Sequence, residues 1–158
     1  MSSTIAKDFE DKFKEDWDKS FPGTVCIRLY DQMTGYKTVS QNPCDFICYN
    51  YPNLYMVECK THKKNTFPFS EFPQYDRLLP YAGKNGVRAG IVLWFLEHDT
   101  IVYVPVKTVE QMIKDGKKSI NIKDVSNTVY NIKIIPSTKK RVYFDSDYTL
   151  FATLQEGE

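Results

Sequence analysis

Residues 44–60 read Cys44-Asp45-Phe46-Ile47-Cys48-Tyr49-Asn50-Tyr51-Pro52-Asn53-Leu54-Tyr55-Met56-Val57-Glu58-Cys59-Lys60. Two β-prone runs, 44–49 and 54–60, flank Asn50-Tyr51-Pro52-Asn53, whose residue types favour a turn. With those four residues as the loop, Tyr49 lies opposite Leu54, and counting outward places Asp45 opposite Glu58. Opposed residues share one face of a sheet, with Cβ atoms ~5 Å apart. Lys60, two positions beyond Glu58, falls on that face as well. The strand neighbours Phe46, Ile47, Met56 and Val57 are apolar, so the hairpin gathers two carboxylates and an amine in an apolar setting.

Two carboxylates this close repel each other unless a cation sits between them. Mg²⁺ is commonly held by one or two carboxylates, completed by waters and substrate phosphate. Asp45 and Glu58 are therefore candidate metal ligands, with the backbone carbonyl of Cys59 as a third and Mn²⁺ as a substitute ion. A metal there polarises a phosphodiester and lowers the pKa of a bound water. Lys60 would orient that water or stabilise the charge developing on phosphorus. The plainer alternative is a Glu–Lys pair on a strand edge, with Asp45 as a turn residue. The shared register of all three favours chemistry.

Outward from the hairpin, Ile5, Phe9, Phe13 and Trp17 recur every four residues, which predicts a helix over 4–20 with one apolar stripe. Phe21-Pro22-Gly23 ends it. A strand is expected over 24–30 and a long loop or flap over 31–43. Residues 63–69 read as irregular. Ser70 is the expected cap of a short helix running to about 79, with Pro73 in its first turn. Buried strands are expected over 89–95 and 100–104. Thr108 with Gln111 suggests a capping box for a helix ending near Gly116. A strand over 129–135, a basic turn and an aromatic segment complete the chain. The order is α-β-β-β-α-β with C-terminal β/α additions. Strands that are apolar on both faces imply a mixed α/β fold, its sheet flanked by helices. One domain is expected over residues 1–158, its core about 4–105 and its additions 106–158.

The bulk properties say less. A chain of 158 residues that is 42% hydrophobic can bury a sizeable core. Its net charge of +1 gives no global signal for a polyanionic partner, so a nucleic-acid reading must rest on local clusters. Residues 1–20 hold Asp8, Glu10, Asp11, Glu15, Asp16 and Asp18 and no apolar run, unlike a signal peptide. No run is long enough to span a bilayer. A soluble, cytoplasmic protein without membrane contact is expected. Cys26, Cys44, Cys48 and Cys59 then serve as reduced core residues, and their spacing does not suggest zinc.

Pro43-Cys44-Asp45 followed by Val57-Glu58-Cys59-Lys60 resembles the PD-(D/E)XK nuclease superfamily, whose core has the α-β-β-β-α-β order. Within it, Phe9-Glu10, Glu58-Cys59-Lys60-Thr61, Phe67-Pro68-Phe69 and Gln74 resemble the RecU-type Holliday junction resolvases, including phage-borne ones. The resemblance covers roughly residues 5–105. It implies a restriction-endonuclease-like core, metal binding by Asp45 and Glu58, and assistance to the nucleophile by Lys60. It also implies that Glu10 is an accessory acid facing the metal and that Gln74 supports the site. Two departures stand out. Segment 31–43 is shorter than the stalk of the bacterial resolvases, and Cys44 replaces the residue usual before the first aspartate. If phage-encoded, the protein would act in the host cytoplasm.

Beside the hairpin, His62, Lys63 and Lys64 form a basic run suited to phosphates next to a cut, or else an ordinary solvated loop. Lys139, Lys140 and Arg141 form a second candidate DNA-binding cluster. Lys114, Lys117 and Lys118 suit a helix C-terminus. Trp94 and Phe95 read as core. Tyr30 and Tyr36 could stack on bases, although 11 tyrosines make any one hard to single out. The leading expectation is a magnesium-dependent endonuclease that resolves four-way or branched DNA. A four-way junction needs two paired cuts, so a homodimer is expected. Its interface would be the first helix, the apolar strands or the aromatic C-terminal residues Tyr143, Phe144, Tyr148 and Phe151. The competing readings are a restriction or repair nuclease cutting duplex DNA, and an inactive DNA-binding relative.

Overall fold

A computed structural model describes residues 2–30, 32–34 and 37–158. Helix α1 spans Ser2–Ser20, followed by strands β1 (Val25–Arg28), β2 (Gln32–Thr34), β3 (Lys37–Ser40), β4 (Phe46–Asn50), β5 (Asn53–His62) and β6 (Thr66–Pro68). A 3₁₀ turn, Phe69–Glu71, precedes the short helix α2 (Tyr75–Leu78). Strands β7 (Val87–Phe95) and β8 (Thr100–Pro105) lead into α3 (Val106–Lys114). The chain closes with β9 (Ser119–Asn121), β10 (Lys133–Ile134), β11 (Ser137–Lys139), β12 (Phe144–Ser146) and a 3₁₀ segment, Thr149–Thr153.

Six strands form one mixed sheet in the order β1-β4-β5-β7-β8-β10. Among the described strands only β5 and β7 run parallel, and β6 and α2 lie on the crossover between them. A parallel pair needs such a crossover, because a tight turn reverses direction. Strands β7 and β8 are buried at nearly every position, since both sheet faces are covered. On one face, Phe9, Phe13 and Trp17 of α1 pack with Tyr55, Val57, Cys59, Val92 and Trp94. Tyr148, Phe151 and Leu154 close that core from the C-terminus. On the other face, Met56, Ile91 and Leu93 meet Phe67, Phe72 and Leu78 and the α3 residues Val106, Val109 and Met112. The mixed, helix-flanked sheet expected from the pattern is present.

Several local expectations are corrected. Segment 31–43, expected as a long loop or flap, contains the antiparallel hairpin β2–β3. Residues 63–69 hold β6, which pairs with β9 and covers part of the second core. Ser70 caps nothing: it lies inside the 3₁₀ turn, and α2 starts after Gln74. Helix α3 begins at Val106, just after Pro105, so Thr108 is internal; its buried hydroxyl donates to the Asn131 carbonyl. The strand expected over 129–135 shrinks to β10, which keeps only Lys133 and Ile134 paired with β8, and the exposed Val129 lies outside it. Of the C-terminal aromatics, Phe144, Tyr148 and Phe151 are consumed by this chain's own core and cannot serve an interface, whereas Tyr143 stays exposed.

Gly90 on β7 shows how tight the core is. A Cβ added there would lie 2.6 Å from the Tyr103 ring. That ring is buried, and its hydroxyl donates to the Glu158 carbonyl, so it has little room to swing away. Gly90→Ala is expected to cost ~1–3 kcal/mol through overpacking. Urea titration checks this, and an unchanged midpoint would mean that Tyr103 relocates freely.

Candidate functional site

The β4–β5 hairpin sets the site. Its register pairs Phe46 with Val57, Ile47 with Met56, Cys48 with Tyr55 and Tyr49 with Leu54, so the counting that opposes Asp45 to Glu58 holds. The strands run further than expected, to Asn50 and Asn53, and leave Tyr51-Pro52 as the connection. Asp45 sits just before β4. Its backbone carbonyl accepts from Leu29 N at 2.7 Å. Its Oδ2 accepts from Cys59 N at 2.9 Å, which fastens the carboxylate to β5 beside Glu58.

Glu58 is only 3% exposed, although it carries a carboxyl group. Burial first, then the negative charge of Asp45, pushes its pKa up to about 9, and Lys60 opposes that rise. A hydrogen bond with Asp45 favours the protonated form further. The Lys60 Nζ lies 3.6 Å from Glu58 Oε1. The three residues read from the hairpin are therefore brought together.

Glu10 approaches from α1 through an intermediary. Arg28 on β1 lies 2.6 Å from Glu10 Oε2 through Nη1 and 4.0 Å from Asp45 Oδ1 through Nη2. Burial raises the Glu10 pKa and Arg28 opposes the rise. Sequence reasoning passed over Arg28. Its signal was a single charge in an otherwise apolar strand, facing the same side as Cys26. The guanidinium also lies over the Phe46 ring at 5.2 Å, which holds it toward the carboxylates.

Gln74 stands at the start of α2, and its buried Oε1 has no hydrogen-bond partner among the described residues. A buried orphan acceptor is costly and marks a position suited to a donor that arrives with substrate or solvent. The basic residues divide. His62 lies 3.5 Å from Glu71 and edge-on to Phe67 and Phe95, so its ring is packed into the protein. Lys63 and Lys64 are exposed directly after β5. Lys139 pairs with Asp99 at 2.7 Å and Lys140 with Asp145 at 3.5 Å, and Arg141 lines a cleft of about 700 Å³ against α1. The second cluster is thus partly neutralised by its own chain. Lys114 pairs with Glu110 and Lys117 with Asp124, as suits structural lysines. Tyr30 is exposed beside Arg28, whereas Tyr36 lies outside the described residues.

Among the described residues, no three acidic, thiol or imidazole side chains form a ready ligand cage. Two carboxylates still fit a magnesium-type ion, which keeps waters and takes substrate phosphates as ligands. The buried Glu58 carboxyl beside Asp45 is the observation that favours this fit, because burial and the Asp45 charge push its pKa up and a dication would relieve that repulsion.

No protein-family model matches the chain, and no curated protein does. Among solved structures, the fold is similar to Hjc, a Holliday junction resolvase from the archaeal hyperthermophile Archaeoglobus fulgidus. The TM-score is 0.51 and the identity 22%, over 76% of this chain and 88% of that one. At such identity the likeness speaks for the fold, and the chemistry rests on the residues.

Proposed function

We propose that the chain is a metal-dependent endodeoxyribonuclease of the PD-(D/E)XK type that cuts branched DNA, four-way junctions foremost. The observation that carries this reading is the buried Glu58 beside the half-buried Asp45, with Lys60 3.6 Å from Glu58. A carboxylate pair costs stability in an apolar hairpin, and a cation-binding role accounts for its presence. Asp45 and Glu58 would hold the ion, with the Cys59 carbonyl as a further ligand. Mg²⁺, or Mn²⁺ in its place, supplies Lewis acidity to the scissile phosphate when bound. Lys60 positions the attacking water and stabilises negative charge on phosphorus. Glu10, held by Arg28, acts as the accessory acid, and Gln74 offers its unpartnered Oε1 as an acceptor to the substrate side.

The similarity to an archaeal junction resolvase supports the substrate class. The RecU-like branch and a phage source rest on the residue motif alone. The whole chain would work as one nuclease domain in the cytoplasm, and as a homodimer, so that two sites make paired cuts. Of the surfaces considered for that dimer, the first helix buries Phe9, Phe13 and Trp17 and the C-terminal segment buries Phe144, Tyr148 and Phe151, while Ile5 and Tyr143 stay exposed. The edge of the sheet keeps Val25 and Ile27 exposed at 45% and 52%, which supports the strand option. Among the described residues no helix is long and apolar enough to cross a membrane.

The test uses labelled four-way junction, linear duplex and single strands with Mg²⁺ or Mn²⁺. Symmetric nicks confined to the junction are expected. Cutting of linear duplex would favour a restriction or repair nuclease. Binding without cleavage in either metal would sink the enzymatic reading. The exposed Lys63 and Lys64 are expected to grip phosphates beside the cut. Replacing both with alanine should weaken junction binding and reduce the log–log salt slope by about two, near one per phosphate contact. Anisotropy titrations across salt concentrations measure this, and an unchanged slope would return both lysines to the solvated loop.

A further inference from the structure

Cys26 and Cys48 are register partners on the antiparallel strands β1 and β4. Their sulfurs lie 3.3 Å apart, with the Cys48 thiol donating to Cys26 Sγ. Opposed residues on antiparallel strands have Cα atoms about 4.5–5.5 Å apart, within the 4.4–6.8 Å that a disulfide spans. The two thiols already face each other, so bridging them asks for little backbone movement. The remaining thiols are occupied differently: Cys44 donates to the Phe46 carbonyl, and Cys59 is buried in the α1-side core.

We propose that Cys26 and Cys48 form an oxidisable dithiol site, which a peroxide-class oxidant converts into a cross-strand disulfide tying the sheet's edge strand to its neighbour. Cys26 is the attacking thiol. It is 9% exposed, whereas Cys48 is fully buried. It also receives the Cys48 hydrogen bond, which with the Lys14 charge favours its thiolate despite burial. The Cys26 sulfur attacks one peroxide oxygen, the O–O bond breaks, and the departing hydroxide takes up a proton as water. The resulting sulfenic acid is then attacked by the Cys48 sulfur. The S–S bond forms, the S–O bond breaks, and hydroxide leaves with the Cys48 proton as a second water. Each sulfur gives up one electron, and the peroxide takes both.

The consequence lies in the placement of β1. This strand is at the edge of the sheet, pairs among the described residues only with β4, and carries Arg28 two residues beyond Cys26. A covalent link would close a loop over residues 27–47, which includes Asp45 and the β2–β3 hairpin, and would hold Arg28 against the start of β4. In a reducing compartment the pair stays as thiols, so the bond reports oxidising conditions.

The experiment treats the full-length reduced protein with mild hydrogen peroxide, alkylates it, and maps its peptides by mass spectrometry. One intramolecular 26–48 link is expected, with Cys44 and Cys59 still alkylated after unfolding. The thermal midpoint should rise by roughly 5–10 °C and fall back with dithiothreitol. Cys26→Ser should abolish both the link and the shift, and circular dichroism of that variant before oxidation confirms that it folds. Four free thiols after oxidation, intermolecular links, or bridges through Cys44 or Cys59 would overturn the proposal. The readout does not depend on nuclease activity.

Discussion

Glu58→Gln is expected to lower DNA cleavage by roughly 10³-fold or more, as loss of a metal-holding carboxylate does, while leaving junction binding intact. The substitution keeps shape and hydrogen-bonding capacity and removes only the charge. Its second consequence concerns stability. The raised pKa means that folded Glu58 keeps a proton which the unfolded chain releases between its ordinary value of 4.5 and about 9. Through that window the native state binds more protons than the unfolded state, so stability falls as pH rises. The contribution is intact below about 4.5 and is progressively lost toward 9. In chelator, wild type should therefore lose stability from pH 5 to 8.5 more steeply than Glu58→Gln, which has nothing to titrate there. Mg²⁺ should stabilise wild type at high pH and leave the variant unmoved. Thermal melts at several pH values with and without Mg²⁺ measure all three effects. Parallel pH slopes for the two proteins would show that Glu58 ionises freely, and full cleavage by the variant would remove Glu58 from the chemistry.

Trp17→Ala is expected to cost ~3–5 kcal/mol, a large part of the 5–15 kcal/mol that separates a folded domain from its unfolded chain. Trp17 is fully buried. Its ring contacts Phe13, Phe21, Tyr55 and Phe151, which belong to the helix, the turn after it, the central sheet and the C-terminal segment. Its indole N–H also donates to Thr24 Oγ1 at 3.2 Å. Truncation would open a cavity where four parts of the chain meet, and α1 carries Glu10 as well. Chemical denaturation checks the magnitude. A loss under about 1 kcal/mol would mean that the neighbouring rings collapse into the space.

How much was legible beforehand can be argued from particular residues. The spacing of Ile5, Phe9, Phe13 and Trp17 announces a helix with one apolar stripe; Phe9, Phe13 and Trp17 are buried, whereas Ile5 near the helix start is exposed. The turn tetrad set the register that joins Asp45 to Glu58. The short elements do not begin where residue types suited to capping stand. Ser70 and Thr108 have the residue type of a cap, but Pro68 and Pro105 fix where those helical turns begin. The β6–β9 pair was invisible because its strands have three residues each and are joined only across the fold.

The sequence by itself determined the class of fold and the register that gathers Asp45, Glu58 and Lys60, because period and register are local properties that adjacent strands carry through a tight turn. Tertiary structure alone decided which charges keep their freedom. Packing set the burial of Glu58, placed Arg28 between Glu10 and Asp45, and paired Lys139 and Lys140 with acids distant in sequence. It also set Cys26 against Cys48 across strands that the intervening residues 27–47 separate. Desolvation and charge proximity depend on what the fold brings near, and no count along the chain contains them.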